Sequence, residues 1–415
     1  MEKDPTSNYI CPETVGVHCL NFGVVYNSPS RSQMMGSHLT SKLVIEEPEP
    51  ARIQSGGEHE FGKYTTCVKM PANGRIIDVV ERYPRGVGEG TIGHNPETVV
   101  IFQNDETHQL DYFTIPYYTS FHQYFGYKNR LKMENLNQLV PGNFVRKGTV
   151  FAHSPGLGPY NNYMYGRNLN LALMSWPATA EDGIVISRDA LSKFRFHIYE
   201  TRSIGFGSTS YPLLVYGDKP FPEIGENVRD DGLLMAFRTY DEDLAPVEMG
   251  IHDMKNISHT FDKALYAREA QSDVSKLLAD GTTLSKPGRV IDIEVIKNNE
   301  NQRNLPPRLA EYFEKYARAN KKFYQRILKT IGDLSLEQKK KYKDGKLNLA
   351  EALHNLLVEA RGVTNSPHQD ARVPLTLMVN QNPVDEYLIT FVVEYEITPN
   401  IGYKLTAKNG DIDPV

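Results

Sequence analysis

Cysteine is scarce: three in 415 residues, with no CxxC pair. That rules out a disulfide framework and a four-cysteine zinc site. Cys11 and Cys19 bracket His18, but the spacing departs from structural zinc sites, so these residues read as buried apolar thiols rather than ligands. Positive charge is also in deficit, with 46 Lys and Arg against 51 Asp and Glu and a formal net charge of −5. A global nucleic-acid footprint is therefore absent, and basic contacts must be local or come from a partner chain. No run approaches the length of uncharged apolar residues that a membrane helix needs. The opening "MEKDPTSNYI" has neither the basic nor the apolar region of a secretion signal, so the expectation is an intracellular protein.

What is present is an ordinary globular composition, 40% hydrophobic and 23% charged with 25 prolines, in a chain long enough for two to four domains. Residues 60–190 hold short β-branched and aromatic runs between Gly, Pro and Asn turns: "YTTCVKM", "RIIDVVERY", "ETVVIFQN", "LDYFTI", "TVFAHS", "LNLALMSW" and "GIVIS". These predict strands of a barrel or sandwich. Two internal echoes accompany them. "NGRIIDVVERY" from Asn73 matches "PGRVIDIEVIK" from Pro287, and "GNFVRKGTVFA" from Gly142 matches "GENVRDDGLLMA" from Gly225. Both are too short to define a repeat fold by themselves.

Helices are expected near Met34–Lys42 and over 305–362. Leu309, Phe313, Tyr316, Phe323, Ile327 and Ile331 recur near helical spacing after Pro306 and Pro307. Gly332 is expected to end the first helix, Ser335 with Gln338 to cap the next, Gly345 to break it and Gly362 to stop it. The lysines of "EQKKKYKDGK" read as a solvated face. Tyr387 to Ile397 alternates, with Ile389, Phe391, Val393, Tyr395 and Ile397 on one face.

Chemistry is most legible in "GRNLNLALMSWPATAEDGIVIS", Gly166 to Ser187, where two apolar runs flank the adjacent carboxylates Glu181 and Asp182. Neighbouring carboxylates repel unless they are solvated or share a cation. By pattern alone, a plain surface turn is the favoured reading.

This stretch resembles a segment of the β subunit of multisubunit DNA-directed RNA polymerases. There "G-x-N-x-x-V-A-x-M" precedes a Trp, a short loop, "E-D" and "I-V-x-S", matched here by Gly166, Asn168, Ala172, Met174, Trp176, Glu181, Asp182, Ile184, Val185 and Ser187. "NSPSRSQMMGSHLTSK" (Asn27–Lys42) resembles the family's fork segment, and "IGYKLTAKNG" (Ile401–Gly410) its "G-D-K-x-x-G-R-H-G-N-K-G". "LVPGNFVRKGTVFAHSPG" is similar to its "GEPVERGDVLADGP", and "GRVIDIEVI" to its "GTVIDVQVF". The five stretches are collinear from about residue 14 to residue 410. They start deep inside the β subunit, which implies the middle-to-C-terminal piece of a split subunit, as in giant bacteriophages. The loop from Trp176 to Glu181 is one residue shorter than in the family, and the family's second terminal lysine falls on Ile412. At "DIDPV" the match fails, so the expectation is either a separate chain that continues the barrel or an interrupted gene.

The resemblance implies a mainly β fold with α insertions, including part of a double-psi β-barrel. The implied organisation is a fork-like segment (1–50), a barrel and hybrid-binding region with the Glu-Asp loop (51–200), a wall- or flap-like region (201–300), a helical segment (301–365), and a return strand with a Lys-containing loop (366–415). It further implies that Glu181 and Asp182 sit near the second Mg2+, directly or through water. Lys404 and Lys408 would contact the RNA 3′ end or NTP phosphates, and Arg31 the triphosphate, with Ser32 its alternative by a one-residue slip and a surface salt bridge the plainer reading. The primary Mg2+ ligands belong to a β′-like partner, because no "NADFDGD" occurs here. The isolated chain is expected to be inactive, and its partners are other β fragments, the β′-like chain, template DNA, RNA and NTPs, with no membrane; its expected place is intracellular, the host bacterial cytoplasm if it is phage-encoded, with packaging in the virion the alternative. The rival expectations are a non-catalytic scaffold of such a complex and an unrelated β-rich phage structural protein.

Overall fold

The computed structural model describes residues 45–52, 57–63, 65–82, 97–120, 128–164, 166–170, 172, 174, 177, 184–206, 210–239, 263–267, 288–297, 307–341, 347–365, 378–379, 382–383, 387–399, 404–406 and 412–414. In chain order its elements are α1 (Gly57–Gly62), β1 (Cys67–Lys69), β2 (Gly74–Glu81), β3 (Glu97–Asn104), β4 (Leu110–Pro116), β5 (Tyr118–Ser120), β6 (Lys128–Arg130), β7 (Lys132–Met133), β8 (Phe144–Val145) and β9 (Val150–His153). There follow α2 (Arg188–Leu191), β10 (Phe196–Phe206), β11 (Ser210–Pro212), β12 (Leu233–Thr239), β13 (Lys263–Tyr266) and β14 (Arg289–Lys297). The last are α3 (Pro307–Ala317), α4 (Ala319–Lys341), α5 (Glu351–Asn365), β15 (Met378–Val379), β16 (Asn382–Pro383), β17 (Tyr387–Ile397), β18 (Lys404–Thr406) and β19 (Ile412–Pro414). The chain is mainly β-sheet with some helices, and no helix among the described residues is long and apolar enough to cross a membrane.

One antiparallel sheet has the order β4-β3-β2-β8. Its central strand β3 contains the unbroken apolar run Val99–Phe102, because both of its faces are covered. Val99 and Ile101 meet Phe323, Ile327, Leu353 and Leu357 of α4 and α5. Val100 and Phe102 turn the other way, onto Ile76, Ile115 and Phe151. Helix α5 buries Leu353, Leu356, Leu357, Ala360 and Val363, the i, i+3, i+4, i+7 stripe of an amphipathic helix. A second sheet, β10-β17-β14, draws its strands from three distant parts of the chain. Its middle strand β17 buries the alternating set expected from sequence, Ile389 to Ile397. Phe206 stacks on Tyr387 and Phe221 meets Phe391 edge-on, at ring separations of 5.2 and 5.5 Å, with Phe313 of α3 packed between them.

The helical punctuation differs from expectation. The break falls at Arg318, between α3 and α4, and α4 runs through Gly332 and Ser335 to Lys341. Gly362 likewise lies inside α5. A helix-interior glycine costs about 1 kcal/mol relative to alanine, less than the burial of Ile327, Ile331, Leu353 and Leu357 returns. An added Cβ at Gly332 or Gly362 meets nothing within 4 Å. Gly332→Ala and Gly362→Ala should each raise stability by about 0.5–1 kcal/mol, read as an upward shift of the urea midpoint at unchanged slope.

The two sequence echoes build the same structure twice. β2 carries a bulge between Ile76 and Asp78, and β14 one between Val290 and Asp292. At each bulge the Asp Oδ1 accepts from the next amide, Val79 or Ile293, at 2.9 Å. In the first unit Ile76 N donates to Asn143 O and Gly142 N to Ile76 O, both at 2.8 Å. In the second, Val290 N donates to Glu226 O at 3.0 Å and Gly225 N to Val290 O at 2.7 Å. Gly142 and Gly225 both have φ of 92°, a conformation open to glycine and strained for other residues. The repeated Gly-Arg-Ile/Val-Ile-Asp is thus a bulged strand clasped by a glycine turn.

Two expected strands are corrected. In "LNLALMSW" and "GIVIS" the described residues 169–170, 172, 174 and 184–187 form no strand. Leu169, Met174 and Val185 are 46, 67 and 57% exposed. Alternation without a covering layer does not secure a strand. The expected helix near Met34–Lys42 lies outside the described residues.

Candidate functional site

Of the residues singled out from sequence, Arg31, Ser32, Glu181, Asp182 and Lys408 lie outside the described residues, as do Cys11, His18 and Cys19. Lys404 opens β18, which pairs antiparallel with β19 in the register Lys404↔Pro414, Leu405↔Asp413, Thr406↔Ile412. Ile412–Pro414, within the "DIDPV" at which the family match fails, therefore pairs with Lys404–Thr406. The hairpin signal was present in Asn409-Gly410 between the two strands.

What the structure does bring together is the frame of the Glu181–Asp182 stretch. The segment Ile45–Arg52 follows directly on the fork-like residues and runs beside Gly166–Asn168. Glu49 N donates to Gly166 O at 2.7 Å. The Asn168 side chain donates to Pro50 O at 2.9 Å and accepts from Arg52 N at 3.1 Å. Arg167 Nη1 reaches Glu49 at 2.5 Å and Arg167 Nη2 reaches Glu47 at 3.1 Å. The Arg167 hydrogen bond and the Asn168 amide hold the Glu49 carboxyl below its ordinary range.

The far end of the stretch returns to the same strap. The Ser187 hydroxyl accepts from Ala190 N at 3.2 Å and caps α2. Arg195 then donates to Glu47 Oε1 at 2.8 Å and to Glu46 at 3.2 Å, while Glu46 N donates to Arg195 O at 3.0 Å. Glu47 thus holds Arg167 with one oxygen and Arg195 with the other, so two residues that flank Glu181 and Asp182 in sequence meet at one carboxylate. Sequence reasoning missed this. Only the fold shows that Glu46, Glu47 and Glu49 each face a cation.

Beside the strap lies a buried polar node. The His197 side chain, 8% exposed, faces Glu46 from Nδ1 at 3.6 Å and Glu396 from Nε2 at 3.7 Å. Arg130 Nη1 stands 3.3 Å from Nε2 and 3.5 Å from Glu394. Tyr118 Oη donates to Glu394 at 2.6 Å, and the Arg130 guanidinium lies over the Tyr117 ring. Among the described residues Glu46, His197 and Glu396 are the one His/carboxylate group close enough to share a metal ion. Arg130 and Arg195 already occupy its ring nitrogen and a carboxylate, and magnesium prefers an all-oxygen octahedral shell. The node is an ion-pair network that fastens the β5–β6 hairpin to the β10–β17 sheet.

Burial pushes the His197 pKa below its ordinary value, with Arg130 acting in the same direction against the carboxylates of Glu394 and Glu46. With the folded pKa depressed, the folded state holds fewer protons than the unfolded one as pH falls below the ordinary histidine value of about 6.5. His197 thus contributes stability that is complete above that value and lost on acidification through the folded pKa. As the pH drops below about 6.5, the urea midpoint of the wild type should fall more steeply than that of His197→Gln, which keeps an acceptor for Arg130 and has no proton to take up. Equal slopes would remove His197 as the cause.

No protein-family model matches the chain, and no curated protein matches it.

Proposed function

We propose that the chain is part of the β subunit of a DNA-dependent RNA polymerase, corresponding to its middle-to-C-terminal portion. It would line the active-centre cleft that holds the NTP and the RNA 3′ end. The observation that carries this reading is the closure at Glu47. The stretch resembling the family's Glu-Asp segment is pinned at both ends, through Arg167 and Arg195, to the strap that follows the fork-like segment. Ion pairs at Arg167 and Arg195, on either side of the two adjacent carboxylates in sequence, support this reading, because electrostatic catalysis needs its charged groups positioned.

On this reading Glu181 and Asp182 lie near the second Mg2+, whose primary ligands belong to the β′-like partner. Magnesium, when bound, offsets charge developing on the transferring phosphates. Lys404, in its hairpin, and Lys408 supply compact positive charge for RNA or NTP phosphates, and Arg31 does so for the triphosphate. Template DNA, RNA and the other polymerase chains are the partners.

Affinity purification of the tagged chain from its native source tests family and partner together. The expected result is recovery of a polypeptide with a magnesium-binding Asp triad and template-directed RNA synthesis by the complex. Glu181→Lys with Asp182→Lys should lower synthesis by about 10²–10³-fold while leaving assembly intact. Recovery of the complex with unaltered synthesis would point to a scaffold, and absence of the Asp-triad chain would remove the polymerase reading.

A further inference from the structure

The two repeated units differ on one side. In the second unit the turn at Gly225–Gly232 is covered by the chain's own extended stretch Leu213–Tyr216, whose residues 213–215 are buried. Arg229 is half-buried there. Its amide donates to Tyr216 Oη at 3.1 Å and its Nη1 to Val215 O at 3.2 Å. Its Nε and Nη2 reach Asp231 at 3.2 and 2.6 Å. The Tyr216 hydroxyl donates onward to Leu233 O at 2.5 Å.

In the first unit the matching arginine is Arg146, and the single residue Lys147 stands where the second unit has Asp230 and Asp231. Both side chains are exposed, and among the described residues neither makes a hydrogen bond or ion pair. Phe144, 51% exposed, replaces the polar Asn227, and Val140 in the same turn is 50% exposed. Arg75 lies opposite Phe144 in the β2–β8 register and is exposed too. The arginine is thus retained, no carboxylate or covering strand meets it among the described residues, and an aromatic side chain faces water where a polar one would serve.

We propose that this turn surface (Arg75, Val140, Phe144, Arg146 and Lys147) docks an extended peptide segment of a partner polypeptide that carries a carboxylate. A main-chain carbonyl of the segment takes Arg146 as Val215 takes Arg229. Its acidic side chain fills the place that Asp231 fills in the second unit, and its apolar residues cover Phe144 and Val140. Asp105 and Glu106 stand exposed at one rim: Asp105 N donates to Asn73 O, and Lys147 N to the Asn73 side chain. Fixed negative charge there disfavours a continuous phosphodiester chain and tolerates a peptide with one local carboxylate. The proposal goes beyond the polymerase reading and does not depend on it.

Fluorescence anisotropy on the full chain tests it, with a labelled synthetic peptide of residues 211–220 as probe and a labelled single-stranded oligonucleotide as rival. The peptide should bind with a Kd below about 1 mM. Arg146→Glu and Phe144→Ser should each weaken binding about tenfold or more; both positions are exposed, and unchanged circular dichroism verifies folding. Lys147→Glu gives a second charge variant. A peptide that does not bind, or binds Arg146→Glu as tightly as wild type, overturns the proposal. So does oligonucleotide binding that Arg146→Glu abolishes, which would make the surface one for nucleic acid.

Discussion

Gly74→Ala should destabilise the protein by about 3 kcal/mol, whereas Gly288→Ala, at the equivalent position of the second unit, should cost about 1 kcal/mol. Both glycines open the repeated Gly-Arg-Ile/Val-Ile-Asp strand, and both have a neighbour where a Cβ would go. At Gly74 the obstacle is main chain: an added Cβ falls 2.4 Å from Gln103 O and 3.1 Å from its carbonyl carbon. β3 is clamped between β2 and β4 and cannot retreat without breaking ladder hydrogen bonds. At Gly288 the obstacles are side chains, Tyr395 at 2.5 Å and Val393 at 2.6 Å, which shift more readily than backbone. Paired chemical denaturation of the two variants checks the order. A Gly288→Ala cost equal to or above that of Gly74→Ala would contradict the distinction between backbone and side-chain obstruction.

Glu394→Ala should cost about 3–5 kcal/mol. The Glu394 residue is 6% exposed, accepts from Tyr118 Oη at 2.6 Å and faces Arg130 at 3.5 Å. Truncation leaves a half-buried guanidinium and the Tyr118 hydroxyl, whose pKa burial and the Glu394 carboxylate hold well above the ordinary value, without the carboxylate they share. Glu394→Gln keeps an oxygen for Tyr118 and loses only the charge facing Arg130, so its expected cost is smaller, about 1–2 kcal/mol. Loss of the β5–β6 hairpin from the sheet is the structural consequence. Hydrogen exchange of peptides covering residues 117–120 and 128–131 should rise in Glu394→Ala before global unfolding. Unchanged protection there would show that the hairpin is held by other contacts.

The separation between what was legible and what was hidden follows the range of the interactions. β17 was readable to the residue because one face is buried and the other is not, so period-two alternation survives in the sequence. β3 was readable as a strand, but its unbroken apolar run did not say that helices cover one face and strand β9 the other. The echoes were visible as strings. That they are bulged strands with equivalent glycine turns required the hydrogen bonds at Ile76 and Val290. Gly332 and Gly362 were misread as stops because local propensity is weaker than a continuous buried stripe on either side of each.

The β-rich class, the helical region after Pro306, the amphipathic strand at Tyr387–Ile397 and the two Gly-Arg-Ile/Val-Ile-Asp units were all legible in the sequence. Each of these depends on residues close together along the chain, where spacing and turn chemistry act directly. The pairing of Glu46, Glu47 and Glu49 with Arg195, Arg167 and His197, and the meeting of Arg167 and Arg195 at Glu47, came from the fold alone. So did the difference between the repeated turns: one is covered by Leu213–Tyr216, and the other has no such cover among the described residues. An ion pair between residues 47 and 167, or 47 and 195, leaves no periodic trace in sequence, because charge attraction depends on distance in space and is indifferent to separation along the chain.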